Sequence, residues 1–448
     1  MLTDRYGLRH SGDDPHAAEA VAQATFAVAA HRPGAAPALE AARAADPDCI
    51  GAHALEGFAC LILARCELET PASVALAAAQ AALAAKRGGT PDEAALVAAL
   101  GDAAAGRFRA AADRLETPCG ARPIPLLAFK IAQALRFMAG DLPGMLAAST
   151  AAAARADGGD EAAPGFGFVM GCHAFALEEA GLLPQAEQAG RRAVAAEPAD
   201  AWGLHAVAHV MESDGRVADG LSWIERARPT WSGCNNFAFH MAWHLALFHL
   251  ERGDHDGVLA LYDREVRPGP SEDFRDMANA VSLLWRLRQD GVPVGARWEE
   301  LRRVAHARRR DATLTFAALH TLLALLAAGD RAGAADCLDA LEERAAGDGE
   351  QAEVLRAVGL DLARALVSDE PLAPVRLATL ARRLPLIGGS HAQRDVFLRT
   401  LADRAARAPG RRGLDLVLAA RRRTKRPDRF ARRLTDDGAC ADAALAVS

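Results

Sequence analysis

The chain has 448 residues, 51% of them apolar but only 5% aromatic, with a formal net charge of −6 from 52 basic and 58 acidic residues. Alanine supplies much of the apolar fraction, which suits closely packed helices and starves β-sheet of its preferred residues. The mildly acidic balance leaves no footprint for nucleic acid over the chain as a whole.

From the N-terminus, "MLTDRYGLRHSGDDPH" lacks the basic stretch and apolar core of a leader, and no apolar run approaches the roughly 18 residues of a membrane span. The eight cysteines form no C-x-x-C pair, so reduced thiols in a cytoplasmic protein are expected. Lys occurs only at Lys86, Lys130 and Lys425, and the Arg bias points to a GC-rich bacterial genome. Helical stretches end at "RPGAAP", "KRGGTPDE", "DGGDEAAPG" and "RPGPSED".

A repeat emerges in the middle of the chain. Gly181 and Gly215 lie 34 residues apart, the tetratricopeptide period, and the small residues Ala174 and Ala208, then Ala186 and Gly220, recur in phase. A third copy hinges at Gly253, and weaker copies surround Gly106 and Gly329. The pattern predicts an all-α, tetratricopeptide-like α-solenoid of about 20 helices stacked in antiparallel pairs. One solenoid over 1–448 is expected, with irregular repeats over 1–160, core repeats over 161–270 and further helical repeats over 271–448.

The core repeats crowd five histidines into 45 positions: His205, His209, His240, His244 and His249. Residues at i, i+3, i+4 and i+7 share a helix face, so Trp202, His205, His209 and Glu212 form one stripe, while His240 and His244 form another on the next pair's first helix. In this register both stripes face a concave groove. Two His-x-x-x-His pairs and an in-phase carboxylate suit a four- or five-coordinate Zn, Fe or Mn site. A polar, hydrogen-bonded role in packing is the bland alternative for each ring. His249 falls off the stripe and reads as packing, and no organic cofactor is indicated.

Further on, "DMANAVSLLWRLRQDG" and "VGARW" read as core, with Asp276, Arg286 and Arg297 available for a buried ion pair. "LPLIGGSHAQRDVF" holds Ser390 and Gln393 at capping-box spacing, while the free N–H groups after Gly-Gly-Ser, with Arg394, could hold an anion. "RRRTKRPDRFARR" near the C-terminus reads as a solvated basic face.

The ordered set "HAVAHVME", "HMAWHLALFHLERG", "SLLWRL" with "VGARW", and "GGSHAQRDVF" resembles the tetratricopeptide repeat protein 38-like family. The resemblance spans Leu204 to Phe397 and implies a tetratricopeptide-like solenoid. It carries the family's motif onto His205, His209, Glu212, His240, Trp243, His244, Ser390, Gln393, Arg394 and Asp395. Met241 stands where many members have Asn.

Two functions from different classes follow. The first is a metal-dependent hydrolase or lyase acting on a small molecule, with His205, His209, His240 and His244 as ligands and Glu212 as fifth ligand or general base. Trp202, Trp243, Phe168 and Phe175 would wall its substrate, with Ser390, Gln393, Arg394 and Asp395 as further contacts. The second is a scaffold holding a peptide or partner helix in the groove. Metal-free acid/base work by the histidines and Glu212 is a third.

Overall fold

In the computed structural model the chain is all-α, with 24 α-helices among the described residues, 1–117, 124–157, 161 and 163–435. Cys119, Cys440 and part of the "DGGDEAAPG" break lie outside the described residues. Among the described residues strand is confined to one two-residue antiparallel pair, Leu2–Thr3 with Arg9–His10. That pair, which alternation could not reveal, is held by the Asp4 carboxylate accepting from the N–H groups of Tyr6 and Leu8.

The chain forms two compact units. The first comprises Met1–Val207, Ala227–Ala238 and Gly349–Gln351; the second comprises Ala208–Arg226, Phe239–Asp348 and Ala352–Ser448. The division falls inside the helix Ala201–Ser213, so no linker marks it.

Within the first unit consecutive helices pack on one another, Pro15–Ala29 on Ala35–Ala45 and Phe166–Glu179 on Leu183–Ala196. The second pair approaches closely because it meets through Ala186, Ala189, Gly190 and Ala193, all buried. In the second unit Thr315–Ala327 packs on both Phe274–Gln289 and Arg331–Ala346.

The hinge glycines of the repeat share one conformation. Gly106, Gly181, Gly215, Gly253 and Gly329 have φ between 73° and 78°, the left-handed region that ends a helix without a Cβ clash. At Gly215 the N–H bonds back to the Glu212 carbonyl, and the Arg216 N–H to the Met211 carbonyl, so the orphan carbonyls of the last turn are satisfied.

One helical stretch, Cys66–Ala85, is long and apolar enough to cross a membrane by length and composition, with a mean hydropathy of 1.2. This corrects the expectation that no run approaches that length. Alanine carries the hydropathy, and Ala72, Ala75, Ala79 and Ala82 are buried while Val74 stands 65% exposed.

The "GGSH" break folds as a capping box. Ser390 Oγ accepts from the Gln393 N–H, and the Gln393 side chain accepts from the Ser390 N–H, at 3.2 and 3.0 Å. Ser390→Ala is expected to cost about 0.5–2 kcal/mol, because a buried N–H at the start of His391–Arg407 loses its acceptor. Urea unfolding measures it; an unchanged midpoint would show the cap to be dispensable.

Candidate metal centre

Four helices of the second unit supply the centre. The last turns of Ala201–Ser213 carry His209 and Glu212, three apart on one face. Phe237–Arg252 carries His240 and His244, one turn apart. Phe274–Gln289 lies beside it and runs in the same direction, since Asn279 meets His240 and Ser282 meets Trp243 at one offset of 39 residues. The capped start of His391–Arg407 presents His391.

Each imidazole of the second pair is tied at its outer nitrogen. His240 Nδ1 donates to Asn279 Oδ1 at 3.0 Å, and His244 Nδ1 donates to Glu212 Oε2 at 3.2 Å. A carboxylate can only accept, so the proton of His244 sits on Nδ1 and its Nε2 offers a lone pair. With its amide oxygen towards Nδ1, Asn279 sets His240 in the same tautomer. The two Nε2 atoms face each other at 3.2 Å.

Two lone pairs at that distance repel unless a cation lies between them. A proton could serve, but burial pushes His244 down to about 4, with neighbouring His209 acting the same way against the pull of Glu212. A divalent ion also fits the spacing. With Zn–N bonds of about 2.0–2.1 Å, two ligand nitrogens of a tetrahedral site stand about 3.3 Å apart. His209 offers a ring nitrogen within 4.8 Å of both, with its ring centroid 4.5 Å from that of His244. Buried His and Glu groups of this kind could hold a metal ion.

Glu212 occupies a different place from the one expected of a ligand or general base. Oε2 is on His244 Nδ1, the side of the ring away from the paired nitrogens, and Oε1 accepts from Lys425 Nζ at 2.8 Å. Burial alone would raise its carboxyl, but the Lys425 ammonium and then the His244 hydrogen bond outweigh it and hold it well below the usual range. Since His244 is neutral at neutral pH, Lys425 is its counter-charge. A carboxylate so committed orients a ring and does not shuttle protons.

His205 stands one turn before His209 on the same helix, but in the first unit, where its ring stacks on Phe175 at 5.6 Å and packs against Trp202 and Phe237. Both stripes are more buried than an open groove would leave them: His205, His209 and His244 are at most 1% exposed, and His240 is half-buried.

The expected substrate walls need correction. Trp243, Phe168 and Phe175 are fully buried, with Trp243 Nε1 donating to Ser282 Oγ and Phe168 edge-on to Phe26. Helices that are apolar around their whole circumference give periodicity no face to choose. Trp202 alone of the four is half-buried, beneath Lys130. Ser390 and Gln393 satisfy each other, and Arg394 donates to the carbonyls of Gly388 and Gly389. Asp395 is bound by Arg421 at 2.6 and 2.9 Å, so the polar side chains of this segment are engaged within the chain. Arg286 faces Asp395 at 3.8 Å, whereas Asp276 accepts from Ser271 and Arg297 pairs with Asp263.

Three residues escaped the sequence reading. His391 Nε2 meets Ser213 Oγ at 2.9 Å, and its ring lies edge-on to His209. Asn279 and Lys425 fix the outer nitrogen of one histidine and the carboxylate of the other. The rarity of lysine in an Arg-rich chain was the available signal for Lys425.

Away from the centre, His320 gives a pH prediction. It is 1% exposed, and burial pushes it down to about 4, against the Phe316 carbonyl that accepts from its Nδ1. The unfolded chain, with its histidine near pKa 6.5, then binds more protons, so the stability this ring contributes is whole above pH 6.5 and is lost as pH falls towards 4, by roughly 1.4 kcal/mol per unit. His244 acts with the same sign. His320→Phe should therefore lose about half as much stability as the wild type between pH 7 and 4.5 in urea titrations; an identical loss would remove His320 as a cause.

No protein-family model matches this chain, so the geometry of the rings alone speaks for their chemistry.

Proposed function

We propose that the second unit houses a divalent metal centre of Zn, Fe or Mn, and that the chain is a metal-dependent enzyme of hydrolase or lyase type acting on a small molecule. His240 and His244 bind through Nε2, and His209 is the third ligand. The observation that carries this is the pair of Nε2 atoms 3.2 Å apart, each ring locked by an acceptor on its other nitrogen. Histidines that bind metals are held in this way, by a carboxylate or carbonyl on the outer N–H. A metal on three nitrogens keeps an open position, where it polarises a carbonyl or activates water.

Burial of the rings favours this over a peptide-binding scaffold, whose groove would present its polar side chains to the partner. The solenoid implied by the resemblance to the tetratricopeptide repeat protein 38-like family would bring the two His-x-x-x-His helices side by side, as first helices of consecutive pairs. We also place the chain in the cytoplasm, since none of the six described cysteines forms a disulfide.

The test is elemental analysis of chain purified without an affinity tag, followed by Co2+ titration of the metal-free form. Near one equivalent of Zn, Fe or Mn is expected, with Co2+ giving a d–d spectrum of low coordination number. A wild type that carries no metal and takes up no Co2+ overturns the reading.

A further inference from the structure

The basic run 421–433 is solvated on one side only: Arg422, Arg423, Arg426, Arg429 and Arg432 are exposed, while other residues of the run are buried. Arg421 is 2% exposed, Phe430 2% and Asp428 6%, and the segment returns to the histidine centre at two points. Lys425 Nζ reaches Glu212, 213 residues away in sequence, and the Arg426 N–H donates to the carbonyl of Ser213, whose hydroxyl meets His391.

We propose that residues 421–435 form a strap that completes the histidine centre, with Lys425 as a positioning residue acting through Glu212 on His244; the metal arm of this inference rests on the metal-centre reading above. The chain of contacts is short. Lys425 Nζ holds Glu212 Oε1 at 2.8 Å, and Glu212 Oε2 holds His244 Nδ1 at 3.2 Å. Remove the ammonium, and a buried carboxylate loses its counter-charge while His244 loses the fixed acceptor that keeps its lone pair on Nε2.

The strap is anchored unevenly. Phe430 is its one buried aromatic, lying under the Arg399 guanidinium at 4.1 Å. Its outer anchors are ion pairs with at least one exposed partner, such as Arg429 with Asp290 and Arg432 with Glu251, both at 2.9 Å, and such pairs contribute little each. Beneath lies a cavity of about 20 Å³, walled by Lys425, Asp428 and Phe430 from the strap and by Leu247, Arg286 and Arg399 from the body. That is room for about one water. The end of the strap held by these exposed pairs, over a packing gap, opens locally below the cost of unfolding the unit. A metal that needs His244 in its held orientation then favours the docked strap, and the docked strap favours the metal by the same factor.

Arg422 and Arg423 are exposed on the strap and are trypsin sites. Three chains decide the proposal: wild type, Lys425→Met with Lys425→Arg as its rescue, and Phe430→Ala, which loosens the strap while leaving Lys425 in place. Co2+ should bind Lys425→Met about 10–100-fold more weakly than wild type, the range typical of removing a group that orients a ligand, with most of the affinity restored in Lys425→Arg. Co2+ should slow tryptic cleavage within 421–433 at least several-fold in wild type and little in Phe430→Ala. Without metal, long-range 15N–1H spectra should show His244 carrying its proton on Nδ1 in wild type and redistributed in Lys425→Met. Wild-type affinity in Lys425→Met together with cleavage indifferent to Co2+ overturns the proposal. A wild type that binds no Co2+ sinks the metal reading by itself; the strap is then judged by the His244 spectrum, and an unchanged Nδ1 proton in Lys425→Met overturns it.

Discussion

His244→Ala should bind Co2+ and Zn2+ at least a hundredfold more weakly than the wild type, and His240→Ala should match it in affinity while differing in stability. Structural zinc sites contribute roughly 10–16 kcal/mol over about four ligands, so one ligand is worth about 3 kcal/mol, or a hundred- to a thousandfold. The two rings differ in what else they do. His244 is fully buried and donates to Glu212, so its loss leaves a cavity and strips a buried carboxylate of one partner, about 2–4 kcal/mol in the metal-free protein. His240 is half-buried, and its removal should cost about 1 kcal/mol or less. Isothermal titration gives the affinities, and urea unfolding of chelator-treated protein gives the stabilities. Losses in stability alone, with metal affinity untouched in both variants, would return the pair to polar packing.

What the sequence made legible was local. The hinge at Gly215 needs φ of +74°, a demand written into one residue, and a 34-residue spacing repeats it at Gly181. The pairing of His209 with Glu212 and of His240 with His244 on single helix faces follows from helical geometry. Residues brought in from far along the chain were not legible, because nothing local requires them: His391 meets Ser213 across 178 residues, and Lys425 meets Glu212 across 213. The role of Glu212 was misread for a related reason. Periodicity places a carboxylate on the right face, but which imidazole nitrogen it meets depends on the register of a second helix. The boundary between the units was hidden too, since it runs through Ala201–Ser213, where an uninterrupted apolar helix shows no break in composition.

The basic run shows how charge density misleads when its counter-charges are distant. Arg421 donates to Asp395 Oδ1 and Oδ2 at 2.6 and 2.9 Å and to Asp428 Oδ1 at 2.8 Å, with a further bond to Asp428 Oδ2. All three side chains are under 10% exposed. Arg421→Ala is therefore expected to destabilise the chain by about 3–5 kcal/mol at neutral pH, because it leaves two buried carboxylates without the guanidinium that compensates them. Arg421→Lys should recover only part of this, since one ammonium cannot span two carboxylates with paired hydrogen bonds.

The pH dependence identifies the cause. In the wild type, burial would raise Asp395 and Asp428, but Arg421 outweighs it and holds both below the usual range, so their contribution to stability is present above pH 4 and is lost as pH falls through the lowered values. In Arg421→Ala burial acts with less opposition, the carboxyls shift upwards, and the folded chain takes up protons that the unfolded chain releases. The variant's penalty should accordingly shrink between pH 7.5 and 5, as protonation relieves the uncompensated charge. Urea unfolding of both chains across that range measures it. A penalty of full size at every pH would mean that Arg421 acts through packing against Phe430, 5.6 Å from its guanidinium, and not through its carboxylates.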